Sequence, residues 1–140
     1  YRIIKSLPTI KFLSDNKAKV IILSHLSSVK NKETGQEINY SIEFVAKALS
    51  ELAQSDIHFI NDCIGEKVKD AIEKMNFGDI LVLENIRVYK EEEKNDIDFA
   101  HHLYCFCSTF YGPIASRTYY EYSVDANPRY RLLSCLGYTI

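Results

Sequence analysis

Three places in this 140-residue sequence set polar side chains directly after an apolar run. They are Ser24-His25-Leu26, Asn61-Asp62-Cys63-Ile64-Gly65 and Asn85-Ile86-Arg87. Polar groups delivered together at strand ends suit ligand binding, because ligands of parallel sheets gather beyond the carboxyl ends of the strands. Taken alone, His25 reads as a satisfied strand-end histidine. Asn85 and Arg87 read as ties between the strand end and the acidic cluster Glu91-Glu92-Glu93, itself a solvated helix-start patch. His101 and Cys105 are four apart, a metal-ligand spacing on a helix, but no second ligand pair stands at suitable distance, so they read as a helix face.

The elements that would carry these groups follow from apolar spacing. Lys19-Val20-Ile21-Ile22-Leu23-Ser24, Ile57-His58-Phe59-Ile60 and Ile80-Leu81-Val82-Leu83 are short β-branched and aliphatic runs, the pattern of strands covered on both faces. Between them lie helical periods. Ser6-Leu7-Pro8 is expected to open the first helix, with Leu7, Ile10 and Leu13 on its apolar stripe. Ser41 is expected to cap a second helix bearing Ile42, Val45, Leu49 and Leu52. Asp62 is expected to cap a third through Ile64, Val68, Ala71, Ile72 and Met75, and Asp96 a last one through Phe99 and Leu103. Residues 27–40 are polar, contain Gly35, and read as a loop. The fold class expected is α/β, a three-layer, Rossmann-like parallel sheet flanked by helices.

Bulk properties exclude several functions. Net charge is −2, so there is no basic footprint for nucleic acid and no polybasic membrane patch. No apolar run approaches the ~20 residues that span a bilayer. The four cysteines are expected to be reduced cytosolic thiols. Composition changes after about Leu103: residues 1–100 hold 31 of the 36 charged side chains, and residues 104–140 hold seven of ten tyrosines and three of four cysteines. Gly112-Pro113 and Asn127-Pro128 interrupt that stretch, which is expected to form a Tyr/Cys-rich, irregular tail distinct from a domain over 1–103. The crowded Tyr119, Tyr120 and Tyr122 lack the flanking lysines of a nucleic-acid groove.

With these residues in view, the chain resembles the N-terminal, substrate-binding domain of the phosphoglycerate kinases. The resemblance rests on Arg2-Ile3, Leu7-Pro8-Thr9-Ile10-Lys11, Leu23-Ser24-His25-Leu26, Tyr40-Ser41, Asp62-Cys63-Ile64-Gly65, and Leu83-Glu84-Asn85 through Asp98, in order. It implies phosphoryl transfer between 1,3-bisphosphoglycerate and ADP, giving 3-phosphoglycerate and ATP, with magnesium, in cytoplasmic glycolysis. The chemistry needs positioning and positive charge more than covalent work by the protein. The resemblance makes Arg2 the counterpart of the family's charge-stabilising arginine and His25 that of a substrate-contacting histidine. It makes Ser28 the occupant of a substrate-binding arginine's position, since the family's Gly-Arg-Pro is here Ser27-Ser28-Val29.

Other expectations follow from the departures. The family's first strand would lie before Tyr1, so a partial sequence, an uncovered sheet edge and a marginal fold are expected. The 140 residues carry no glycine-rich nucleotide loop, so neither ATP/ADP nor magnesium is expected to bind them, and no kinase activity is expected from them alone. The partner expected is 3-phosphoglycerate, bound by a monomer, with no nucleic acid and no membrane. The alternative expectation is a non-catalytic remnant or interaction module.

Overall fold

The computed structural model describes residues 2–26, 29–30, 34–35, 37–94, 96–104, 109–111 and 130–134. Helix α1 (Arg2–Asp15) leads into strand β1 (Lys19–Leu23), and the short strands β2 (Val29–Lys30) and β3 (Glu37–Ile38) form an antiparallel pair. Then come α2 (Glu43–Ala53), β4 (Ile57–Ile60), α3 (Glu66–Lys74), β5 (Ile80–Leu83) and a 3-10 turn over Ile86–Val88. Helices α4 (Lys90–Glu93) and α5 (Ile97–Tyr104) precede β6 (Thr109–Tyr111) and β7 (Tyr130–Ser134).

The main sheet has the order β4-β5-β1-β7-β6, and every pairing in it is parallel. Its three expected strands are neighbours: Ile21 is level with Leu81, and Phe59 with Val82. Alternation along β1 and β5 divides the core. Ile21, Leu23, Leu81 and Leu83 face Val68 and Ile72 of α3 and Phe99 and Leu103 of α5. Val20, Ile22, Ile80 and Val82 face Ile10 and Leu13 of α1 and Ile42, Ala46 and Leu49 of α2. A strand whose two faces both meet helices must be apolar throughout, which is why all of β1 and β5 is buried. This is the three-layer architecture expected.

Several local readings need correction. Helix α1 begins at Arg2 rather than at Ser6, and it carries Pro8 inside it. Pro8 has no N–H to offer the Ile4 carbonyl, yet Ile3 and Leu7 pack on the core one turn apart. Their burial supports the extra N-terminal turn. The polar 27–40 stretch holds the β2–β3 pair instead of loop alone. Asp62 organises the turn ahead of α3, while Gly65 is the cap residue, at a φ of 91° open chiefly to glycine. Ser41 does meet a helix-start donor, since its Oγ accepts from Glu43 N at 3.2 Å. Asp96 caps α5 as expected, with Oδ1 accepting from Phe99 N at 2.9 Å.

Of the tail, β6 and β7 are described, and they continue the sheet: β7 pairs with all five residues of β1. Composition did not reveal this, because a tyrosine-rich stretch interrupted by glycine and proline shows no period of two. Tyr119, Tyr120, Tyr122, Cys105 and Cys107 lie outside the described residues.

A close approach ties the sheet's opposite end. Ser14 Oγ donates to the Gly78 carbonyl at 2.5 Å, and a Cβ on Gly78 would stand 3.1 Å from the Ser14 carbonyl oxygen. With φ at 95°, Gly78 is required there both for conformation and for space.

Candidate functional site

The carboxyl ends of β1, β4 and β5 continue into the three polar segments and are joined backbone to backbone beyond the sheet. Ile86 N donates to Ser24 O, and Glu84 N to Asp62 O, each at 3.2 Å. His25 lies half-buried immediately after this extension of β1.

Asn85 is the centre of the junction and is 0% exposed. Its Oδ1 accepts from Leu26 N and from Arg87 N, both at 3.1 Å. Its Nδ2 donates to Leu26 O at 3.0 Å and to Tyr40 O at 2.8 Å. A carboxamide presents the same donor and acceptor pair as a peptide unit, so the side chain prolongs the β5–β1 pairing by one residue. Two N–H partners on one side and two carbonyl partners on the other fix its orientation.

Next to it, Glu84 Oε1 accepts from Ile42 N at 2.9 Å and from Asn85 N at 2.6 Å. A carboxylate thus sits at the N-terminus of α2, where the orphan donors and the helix dipole both favour it.

The end of β4 is built around a charge. Asp62 Oδ1 accepts from Cys63 N at 2.8 Å, from Ile64 N at 3.5 Å and from the Tyr89 hydroxyl. Burial raises the Asp62 pKa, but the bonds from Tyr89, Cys63 and Ile64, together with the Lys67 charge, outweigh it and hold the carboxyl below its usual value. Burial, followed by the bond to Asp62, pushes the Tyr89 hydroxyl well above its usual value. Burial, followed by the charges of Asp62 and Glu84, does the same to the Cys63 thiol. That thiol donates to Glu84 O at 2.9 Å, so it is an inert packing group rather than a nucleophile.

Arg87 pairs with Glu92, and Glu93 stands 3.8 Å away. Glu92 is 5% exposed, which corrects the reading of Glu91-Glu92-Glu93 as wholly solvated. Burial raises its pKa, against the Arg87 charge that lowers it. Arg87 is therefore tied to the acidic cluster, as its place before it implied, whereas Asn85 ties the strand end to Leu26 and Tyr40 instead.

Arg2 opens α1, and its neighbour Ile3 joins the same apolar cluster as Leu26. His25 is at the strand-end junction, and Ser28 lies outside the described residues. The sequence reading missed the Asn85 partnership with Leu26 and Tyr40, and it missed Glu84 as a helix cap. The one available signal was an amide directly after a buried strand.

The family model for phosphoglycerate kinase matches residues 1–111. The chain belongs to the phosphoglycerate kinase family. It is 48% identical over 102 residues to the phosphoglycerate kinase of Wolbachia pipientis subsp. Culex pipiens, and 50% identical over 102 residues to that of Dictyoglomus turgidum. Each match covers 73% of this chain and 25% of the relative. Among solved structures, it is similar to the crystal structure of phosphoglycerate kinase from Pyrococcus horikoshii, with a TM-score of 0.55 and 32% identity, covering 64% of this chain and 21% of that one. The chain thus spans about a quarter of the length of the relatives it matches. No described helix is long and apolar enough to cross a membrane.

Proposed function

We propose that these residues form the part of a phosphoglycerate kinase that holds 3-phosphoglycerate, with His25 at the mouth and Arg2 contributing charge to the transferring phosphoryl group. The reaction proposed for the whole protein is phosphoryl transfer between 1,3-bisphosphoglycerate and ADP, in cytoplasmic glycolysis. The observation that carries the reading is the position of His25: it follows β1 at the carboxyl end of a parallel sheet in a member of this family.

The chain's own residues supply geometry. The knitted strand ends fix the entrance, the buried thiol and the tyrosine hydroxyl stay protonated, and His25 stands beside the junction. The family implies magnesium and an adenine nucleotide. Among the described residues no three His, Cys, Asp or Glu are grouped to hold a metal ion. The 140 residues, acting as a monomer, are proposed to bind substrate without turning it over.

A titration of the purified chain with 3-phosphoglycerate, followed by NMR, is expected to shift the His25 resonances. A coupled assay with ATP is expected to show no turnover. Unmoved His25 resonances at saturating substrate, or measurable turnover, would each overturn the corresponding half of the reading. Ser28→Arg restores a fixed guanidinium, and an increase in affinity of about tenfold or more is expected, on the scale of one charged contact.

A further inference from the structure

We propose that Asn85 is the positioning residue of the substrate mouth, its buried carboxamide acting as a substitute peptide unit that holds His25 in place. The inference rests on the reading of His25 as a substrate contact, and it names the group that fixes that contact.

The support is geometric. His25 is flanked on both sides by anchored residues. Before it, the Ser24 carbonyl accepts from Ile86 N at 3.2 Å. After it, both the N–H and the carbonyl of Leu26 are bound by the Asn85 side chain, at 3.1 and 3.0 Å. The same Nδ2 reaches Tyr40 O at 2.8 Å, so one side chain ties the His25 segment to the segment that leads into α2. The β1–β5 register ends at Ile22, and beyond the Ser24–Ile86 bond the Asn85 side chain supplies the partner for Leu26. All four of its bonds end on backbone groups. Such bonds set the path of the main chain on the far side of His25. A group held this way meets the need for a rigid supporting shell around a binding residue.

The test separates positioning from ordinary stabilisation. In the unmodified chain, the Leu26 amide and the Asn85 carboxamide protons are expected to exchange with solvent far more slowly than unbonded amides. Exchange at the unprotected rate would overturn the proposal without any variant. Asn85→Ala is then compared with Leu103→Ala, a core truncation in α5 on the opposite sheet face. After correction for the folded fraction, Asn85→Ala is expected to weaken 3-phosphoglycerate binding by about tenfold or more, with broadened or doubled His25 resonances. Leu103→Ala is expected to stay within about twofold of the unmodified chain, because it packs on the sheet face opposite the one that carries Leu26 and bonds no group of the His25 segment that Asn85 holds. Equal losses in the two variants, or an unchanged His25 spectrum in Asn85→Ala, would overturn the proposal. Asn85→Ser, which keeps a hydroxyl in the junction, provides the same comparison should the alanine variant not fold. If the unmodified chain does not bind 3-phosphoglycerate, the functional reading fails, while the exchange rates and the His25 spectra still decide whether Asn85 positions that segment.

Discussion

At the end of β5 the chain is held by a carboxamide, and at the neighbouring end of β4 by a carboxylate. Asn85 is wholly buried and makes four neutral hydrogen bonds. Asp62 is half-buried and keeps its charge by drawing on two backbone donors and the Tyr89 hydroxyl. Full burial of a charge needs an ionic partner, whereas full burial of an amide needs only complementary peptide groups. The deepest tie in the junction is accordingly neutral and insensitive to pH, and the shallower one titrates.

Making the neutral tie charged is the most severe way to break this comparison. Asn85→Asp retains two acceptor bonds but turns two donors into acceptors facing the Leu26 and Tyr40 carbonyls. A loss of about 3 kcal/mol or more is expected at neutral pH, measured by urea unfolding. The introduced carboxyl would have a raised pKa in the folded chain. The deficit should therefore shrink as pH falls, and a deficit equal at pH 7 and pH 4 would refute the account.

Glu92 provides the intermediate case of a buried charge with an ionic partner. Glu92→Gln is expected to change stability by less than about 1 kcal/mol at neutral pH, measured by urea unfolding, because burial outweighs the Arg87 charge at this carboxyl and the amide still offers an acceptor. With its folded pKa raised from 4.5, the Glu92 contribution to stability is fully present below that value and is lost as pH rises through the folded value. Asp62, with its folded pKa lowered from 3.8, behaves oppositely. Its contribution is present above 3.8 and is lost as pH falls through the lower folded value.

Tyr89→Phe should have a similarly small effect. It removes one donor from Asp62, for about 1 kcal/mol, and the Asp62 titration followed by carboxyl-carbon NMR should move upward. No movement would show that the backbone donors alone set the charge.

The sequence made the strands legible because burial on both faces leaves an uninterrupted apolar run, as at Val20–Leu23 and Ile80–Leu83. It made Asp96 legible as a cap because capping is local. It did not disclose Pro8 inside α1, where packing of Ile3 and Leu7 outweighs a lost backbone bond. Glu92 was hidden for a similar reason: a row of three glutamates looks alike until Arg87 selects one of them. The bonds from Asn85 to Leu26 and Tyr40 span 59 and 45 positions, and no local pattern reports partners at that separation. The family resemblance named His25 but not what holds it.

That separation has a consequence for the order of events when the chain folds. Helices can form from neighbours in sequence, but β1 meets β5 only after α2, β4 and α3 have been threaded between them. Closing a loop of this size costs entropy before any contact repays it, and parallel pairing of this kind is slow. On a ribosome, the His25 segment would emerge early and wait, unshaped, until Asn85 was synthesised.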